Sequence, residues 1–270
     1  MARKTVEIFE NMDFGIVHDI DQQPNVNDFT LHNHDDLYEI VLLVEGDCEF
    51  HVEGNTYRLK PNDIVFTRPF EMHKMSFVSK CTYDRIIVYI KQDYLKNHNC
   101  EKFLNIFQNR QIGTGNCISN DIANIELRNC IYRLNQYGAE KAYDVAEHTV
   151  FEFLYLMNGS KNSLENFYVK DKRVRDIIMY INSNLSNDLN LDVIADRFFI
   201  SKHYLCNIFK KFTGHTVIQY INYKRIMMVQ EFCRNGQSLI QASLNAGFNS
   251  YANFYKAYVK QFNTPPRSMK

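Results

Sequence analysis

The chain reads LDVIADRFFISKHYLCNIFKKFTG over Leu191–Gly214 and SLIQASLNAGFNSYANFYKAYVKQFNTPP over Ser238–Pro266, one pattern written twice about 48–49 residues apart. Ser201 answers to Ser250, Leu205 to Phe254, Phe209 to Tyr258 and Lys211 to Lys260. Each copy predicts a short helix, a tight turn and a longer basic-aromatic helix, so the two are copies of one supersecondary unit. A longer helix of that kind enters a DNA major groove.

In the first copy Asn190 is the expected N-cap of a helix over 191–198. Val193, Ile194 and Phe198 form its inner face, and Ala195 lets the next helix approach closely. Ser201 caps the second helix, where Leu205, Ile208, Phe209 and Phe212 share a stripe. That leaves Lys202, His203, Cys206, Asn207 and Lys210 facing outward. Gly214 can take the left-handed conformation that ends a helix. A long helix is expected over 216–235, with Ile218, Ile221, Ile226, Val229 and Phe232 as its apolar positions. About 20 residues at about 1.5 Å each give roughly 30 Å, against about 34–36 Å for one turn of B-DNA. Such a helix can hold two recognition helices over successive major grooves on one DNA face. In the second copy Leu239, Ile240 and Leu244 are expected inside, Gly247 at the turn and Ser250 at the cap. Phe254, Tyr258 and Phe262 form the core stripe, while Tyr251, Asn253, Lys256 and Lys260 face out. Asn can bond adenine through two hydrogen bonds, and Lys can reach guanine or phosphate.

Net charge over the 270 residues is zero, and this hides an asymmetry. Residues 171–270 hold 14 Lys and Arg against 6 Asp and Glu, whereas residues 1–170 hold 17 against 25. The basic C-terminal part suits double-stranded DNA, and the acidic N-terminal part does not. Seven scattered cysteines, an odd number with no close-spaced pair, read as reduced thiols and a cytoplasmic protein, and not as a disulfide framework or zinc site. No apolar run approaches the roughly 18 residues of a membrane span, and the N-terminus has no apolar region of a signal peptide.

Up to about residue 90 the pattern changes to short runs between turns: FTLH, YEIVLLV, CEFHV, TYRL, DIVFT and RIIVYI. Closely spaced strands with tight turns predict a small sandwich or barrel. From residue 121 to 158 apolar residues recur at helical spacing, interrupted at Tyr137-Gly138-Ala139. They predict two amphipathic helices of about 16 residues in an antiparallel hairpin, able to cover a barrel end or pair with a second subunit. The expected organisation is multidomain α and β: a sensor barrel over 1–110, a helical dimerisation region and linker over 111–165, and an all-α domain over 170–270 with two helix-turn-helix units joined by a long helix.

The C-terminal pattern resembles the DNA-binding domain of the AraC/XylS family of bacterial transcriptional regulators. The residues that carry it are Ile194-Ala195, Ser201, Leu205, Phe209-Lys210, Gly214, Tyr220, Arg225, Gly247-Phe248, Ser250, Phe254, Lys260 and Thr264-Pro265. The resemblance implies base reading by His203, Cys206 and Asn207 and by Tyr251, Asn253 and Lys256. Two departures stand out. Phe199 occupies a turn that often has glycine, which implies a different turn geometry. Ser243 replaces an alanine and can bond back to a carbonyl one turn earlier.

In the N-terminal part, His32-Asn33-His34 with Glu39 and Gly46, then Pro61-Asn62-Asp63 and His73, resembles the two motifs of the cupin family, a small double-stranded β-barrel. Cupin enzymes hold a divalent metal with two His of the first motif, the Glu and a later His; Asn62 departs from the usual glycine. Two imidazoles and a carboxylate with open positions suit iron, manganese or zinc. Three uses of His32, His34, Glu39 and His73 are open: a metal site, a metal-free pocket for a sugar or other small effector, or a structural polar cluster. Nothing else suggests catalysis or an organic cofactor: no P-loop, nucleophile elbow or Gly-rich dinucleotide loop is present. The reading is a non-enzymatic, homodimeric activator-type regulator whose effector shifts how DNA-binding domains and RNA polymerase meet. The alternatives are a metal-dependent cupin enzyme with a regulatory DNA-binding domain, or a ligand-free regulator controlled by a protein partner.

Overall fold

In the computed structural model of the chain, the run YEIVLLV lies in strand β3 (Leu37–Glu45) at the middle of an antiparallel sheet. The structure describes residues 4–8, 13–22, 32–34, 36–121, 124–160 and 171–266. Two compact units emerge, residues 1–170 and 171–270.

In the first unit β1 (Lys4–Ile8), β2 (Phe14–Asp21), β6 (Ile64–Thr67), β8 (Tyr83–Lys91) and β9 (Cys117–Ile118) join β3 in the order β1-β2-β8-β3-β6-β9. Strands β4 (Cys48–Val52), β5 (Asn55–Arg58) and β7 (His73–Phe77) form a second sheet in the order β5-β4-β7. The apolar run of β3 is continuous and not alternating because both faces of the strand are buried. Val41 and Leu43 face Phe50, Val52, Met75 and Phe77 of the second sheet in one core. Tyr38, Ile40 and Leu42 face the other core, with α3 (Ile125–Ala139) and α4 (Tyr143–Gly159). Between these come α1 (Gln92–Asn97), a 3-10 turn (Glu101–Leu104) and α2 (Asn105–Gln108).

Strands β1, β2, β7 and β9 add to those expected from the pattern. Most of FTLH lies outside the described residues; His32 itself forms an isolated antiparallel bridge with His73. The helical pair shares its core with the six-stranded sheet, so it packs as part of the first unit. Its break falls at Glu140–Ala142, three residues beyond the expected one. Gly138 is buried within α3, and Lys141 takes the left-handed turn at φ +58°.

The second unit contains α5 (Lys172–Ser183), α6 (Leu191–Arg197), α7 (Lys202–Thr213), α8 (Val217–Arg234), α9 (Leu239–Asn245) and α10 (Tyr251–Phe262). The expected caps form. The Asn190 side chain accepts from the Val193 amide, Ser201 from Tyr204 and Ser250 from Asn253, and Gly214 exits α7 at φ +78°. Thr216 and Gln219 close a capping box at the start of α8.

Several expected inner positions are corrected. Ile218, Ile240 and Leu244 are exposed by 41%, 60% and 45%, and Val193 by 37%. On α9 the buried residues are Ala242 and Ser243, followed by Ala246. Small side chains mark the face where helices meet closely, and the larger aliphatic residues stay at the rim. On α8 the buried positions include Val217, Tyr220, Ile221, Ile226 and Val229, while Phe232 is half-buried.

Candidate DNA-binding interface and effector pocket

The two helix-turn-helix turns share one exit geometry. The Phe199 amide donates to Asp196 O at 3.2 Å and the Ile200 amide to Ala195 O at 3.0 Å; Gly247 donates to Leu244 O at 3.0 Å and Phe248 to Ser243 O at 3.1 Å. These are paired bonds of the Schellman type, which need a left-handed residue after the helix. Phe199 supplies it at φ +53° and Gly247 at φ +96°. The implied difference in the first turn is therefore one of length. Ser201 follows the left-handed residue by two positions in the first helix-turn-helix copy, and Ser250 by three in the second copy, which accounts for the shift in repeat spacing. Ser243, as expected, donates back to Ile240 O at 2.7 Å.

Lys202, His203, Asn207 and Lys210 are exposed on α7, with Cys206 half-buried beside them. Lys202 forms an ion pair with Asp192 of α6, and the Asn207 carboxamide lies 3.3 Å from the His203 ring. On α10, Asn253, Lys256 and Lys260 are exposed, Tyr251 is half-buried and Ser250 holds the cap. Asn253, Lys256 and Lys260 line one polar cleft of about 420 Å³ with Asn190, Asn222, Asn249 and Arg225. Arg225 is anchored from within, donating to Leu185 O at 2.9 Å and Asn187 O at 2.7 Å. Its guanidinium also lies over the Phe248 ring at 5.9 Å. In the sequence Asn190 reads only as a cap, and Asn222 and Asn249 carry no role, because they come from separate elements that only folding brings to α10.

In the first unit His32, His34, Glu39 and His73 converge, with one ligand-capable atom of each within 4.8 Å of the others. Glu39 sits on β3, opposite Thr67 on β6 and Tyr89 on β8. His73 sits on β7, and its bridge to His32 is held by amide bonds of 3.0 and 2.8 Å. His34 is fixed by its own carbonyl, which accepts from the Phe70 amide at 2.9 Å. His73 Nε2 lies 2.7 Å from Glu39 Oε2, and His34 Nε2 lies 3.5 Å from it. His73 Nδ1 points at Glu71 O at 2.8 Å, which fixes the tautomer and turns Nε2 into the cluster. Burial opposes ionisation of Glu39, but the adjacent His73 and His34 outweigh it and hold the carboxyl well below the usual range. Burial likewise opposes the His73 cation, and Glu39 outweighs it, so the net shift is upward.

Below this polar end the space between the sheets is filled by apolar side chains, with Phe50 packed 5.8 Å from the His73 ring. At this end Thr67 Oγ1 is buried with no protein hydrogen-bond partner, and the Nε2 atoms of His34 and His73 both turn to the single Glu39 carboxylate. Such atoms are costly to leave bare, so the arrangement suits an occupant that donates to, or is coordinated by, them. Thr67 and Tyr89 are additions to the sequence reading; only strand register places them beside Glu39.

Glu71, fully buried, connects the cluster to the loop before β9. Its carboxylate accepts two bonds from Arg110, at 2.7 and 2.5 Å, one from the Gly113 amide at 2.9 Å and one from Asn116 at 3.0 Å. Burial raises its pKa, but Arg110 and Arg68 prevail and bring it to about 2.

A six-stranded and a three-stranded sheet with a polar pocket, followed by a tandem helix-turn-helix unit, define a DNA-binding transcriptional regulator with a ligand-binding domain. Residues 20–136 match the AraC-like ligand binding domain and residues 194–270 a helix-turn-helix domain. The chain thus joins an AraC-like ligand-binding domain to a helix-turn-helix domain. It is similar to the HTH-type transcriptional activator RhaS of Escherichia coli O81 (strain ED1a), 21% identical over 246 residues that cover 90% of this chain and 88% of RhaS. Among solved structures, ToxT from Vibrio cholerae O395 is 14% identical, covers 94% of this chain and 95% of its own, and has a TM-score of 0.39. The C-terminal domain of AraT, a response regulator from Geobacillus stearothermophilus, is 22% identical over 37% of this chain and 84% of its own, with a TM-score of 0.35.

Among the described residues no helix is long and apolar enough to cross a membrane. Among the described residues the seven cysteines form no disulfide.

Proposed function

We propose that the protein is an effector-responsive regulator that reads two successive major grooves per subunit, one with α7 and one with α10. His203, Cys206 and Asn207, and Tyr251, Asn253 and Lys256, make base contacts; Lys202, Lys210, Ser250 and Lys260 contact the phosphate backbone. The effector, a sugar or other small metabolite, occupies the polar end of the sheet pair at His32, His34, Glu39 and His73. The observation that carries this reading is the convergence of His32, His34, Glu39 and His73 beside Thr67, whose buried hydroxyl has no protein partner. Neutral hydroxyls suit such a group, donating to carboxylate or imidazole nitrogen and accepting from a hydroxyl or imidazole N–H.

Effector binding favours one of two pre-existing arrangements of the regulator and so alters the presentation of the DNA-binding unit. Two copies pair through α3 and α4, where Tyr132, Tyr143 and Val145 remain exposed, and the dimer on its paired sites recruits RNA polymerase in the cytoplasm. We assign the chain no catalytic step. The test is thermal unfolding of the full chain with a panel of sugars and metabolites. A ligand at 100 times its dissociation constant adds about 2.7 kcal/mol. A rise that is absent in His34→Gln supports the pocket; a flat panel, or a rise unaffected by that change, contradicts it.

The ligand-atom spacing supports a second reading, a divalent cation on the same four residues. The residues fit such an ion: the Nε2 atoms of His34 and His73 face one carboxylate, and a backbone carbonyl fixes the His73 tautomer. When bound, the ion supplies positive charge to Glu39 and open positions to an incoming oxygen ligand. Metal analysis of the purified protein, with chelator-dependent loss of thermal stability, separates this reading from a metal-free pocket.

A further inference from the structure

A second cleft lies in the first unit, away from the histidine cluster, where the 3-10 turn, α2, the start of α3 and the end of α4 meet. Its volume is about 810 Å³, within the roughly 300–1,000 Å³ of small-molecule sites. Phe103 and Tyr155 form an aromatic corner, edge to face with ring centroids 6.3 Å apart, and Leu127 and Leu156 continue the apolar wall. Three carboxamides, Asn105, Asn124 and Asn158, face the same space.

The polar groups there are only partly used. Asn158 Oδ1 is buried without a hydrogen-bond partner. Asn124 spends its amide on Ser119 O at 3.2 Å, which leaves its oxygen, and Asn105 Oδ1 accepts from Asn109 at 3.0 Å, which leaves its NH2. The cleft thus offers neutral donors and acceptors beside aromatic faces. Its two charged side chains, Lys102 and Glu126, are of opposite sign and exposed.

We propose that this cleft is a second small-molecule site, for a neutral hydroxylated ligand with an apolar face. Carboxamides pair with hydroxyl groups in both directions, and the aromatic corner takes the apolar face. The balanced charge gives an anion or a cation no advantage. The cleft ends at Gly159 and Ser160, the last described residues before the second unit. A ligand spanning Phe103 and Asn158 would tie the 3-10 turn to the end of α4, and so influence how the chain leaves the first unit. This proposal is independent of the effector reading, because no residue is shared with the histidine cluster.

Two substitutions alter the cleft without entering the core: Gly159→Leu adds bulk to it, and Tyr155→Ala removes half of its aromatic corner. A side chain at Gly159 meets open space, and leucine is the better helix former by up to about 1 kcal/mol. Tyr155 is 66% exposed, so its removal leaves the core packed. The experiment is saturation-transfer NMR on the full chain with phenyl glycosides, using the matching glucuronides and amino sugars as charged controls. We expect transfer from the neutral glycosides in the wild type and in His34→Gln, and binding at least about tenfold weaker, or 1.4 kcal/mol, in Gly159→Leu and Tyr155→Ala. The proposal is overturned by any of four results: no transfer at millimolar concentration, transfer unchanged in both cleft variants, loss in His34→Gln alone, or stronger transfer from the charged controls. Dimerisation that Gly159→Leu abolishes, with no glycoside transfer, would assign the cleft to a second copy of the chain instead.

Discussion

Phe199 holds a left-handed backbone at the exit of α6 with its ring 93% exposed. A residue with a Cβ pays about 1–2 kcal/mol there, and the exposed ring returns nothing by burial. Phe199→Gly is therefore expected to raise stability by about 1 kcal/mol, after the extra unfolded-state freedom of glycine is subtracted. A urea midpoint that falls in this variant would show that the ring has a contact in the folded chain. Gly247 holds the equivalent place in the second unit, and a Cβ there would meet the Leu185 carbonyl and approach Arg225 Nε to 2.9 Å. Gly247→Ala is expected to cost more than about 2 kcal/mol, since both the backbone and its neighbours resist it. Gly247 was legible in the sequence as a turn residue. The conformation of Phe199 was not, because local composition there favours an ordinary backbone and only the helix-exit bonds impose the other. Glu71 predicts the acid behaviour. Its folded pKa of about 2 lies below the ordinary 4.5, so its contribution is complete above that ordinary value and is lost as pH falls from 4.5 towards 2. The loss is on the order of 3 kcal/mol. Glu71→Gln should flatten the acid limb of a stability–pH curve, and an unchanged limb would remove Glu71 as its source.

At the scale of elements, α10 is the more strongly equipped of the two recognition helices. Asn253, Lys256 and Lys260 share a cleft with the buried-stem Arg225, whereas on α7 Lys202 is already paired with Asp192. Lys256→Ala should weaken DNA binding by about 1–3 kcal/mol and relax base preference in the element read by α10. Equal affinity and preference would take Lys256 out of the interface. The caps of α6, α7 and α10 were readable because Asn and Ser mark the helix N-termini, where amides lack partners. The inner face of α9 was not. Ile240 and Leu244 outrank Ala242 and Ser243 in hydrophobicity, yet a close helix crossing admits only the small pair. In the sheets, β3 was legible from its apolar run, while Thr67 and Tyr89 needed strand register to be placed beside Glu39. The histidine motif brought together the four residues it named; Glu71 and Arg110, which hold the neighbouring loop, carry no motif.

At the scale of the whole molecule, the charge asymmetry assigns the roles. The second unit carries the positive excess and the exposed recognition helices, and the first carries the pocket and the two-sheet core. The α8 helix that joins the two recognition units has 18 residues, or about 27 Å at about 1.5 Å per residue. That length suits two recognition helices on adjacent turns of one DNA face. The central claim is that α7 and α10 read DNA together. Selection of binding sites from random duplexes by the purified full chain tests it most directly. The account predicts a bipartite motif whose two elements lie about 10–10.5 base pairs apart, with the element read by α10 weakened in Lys256→Ala. Enrichment of one short element alone, or no enrichment above the non-specific background, would contradict it.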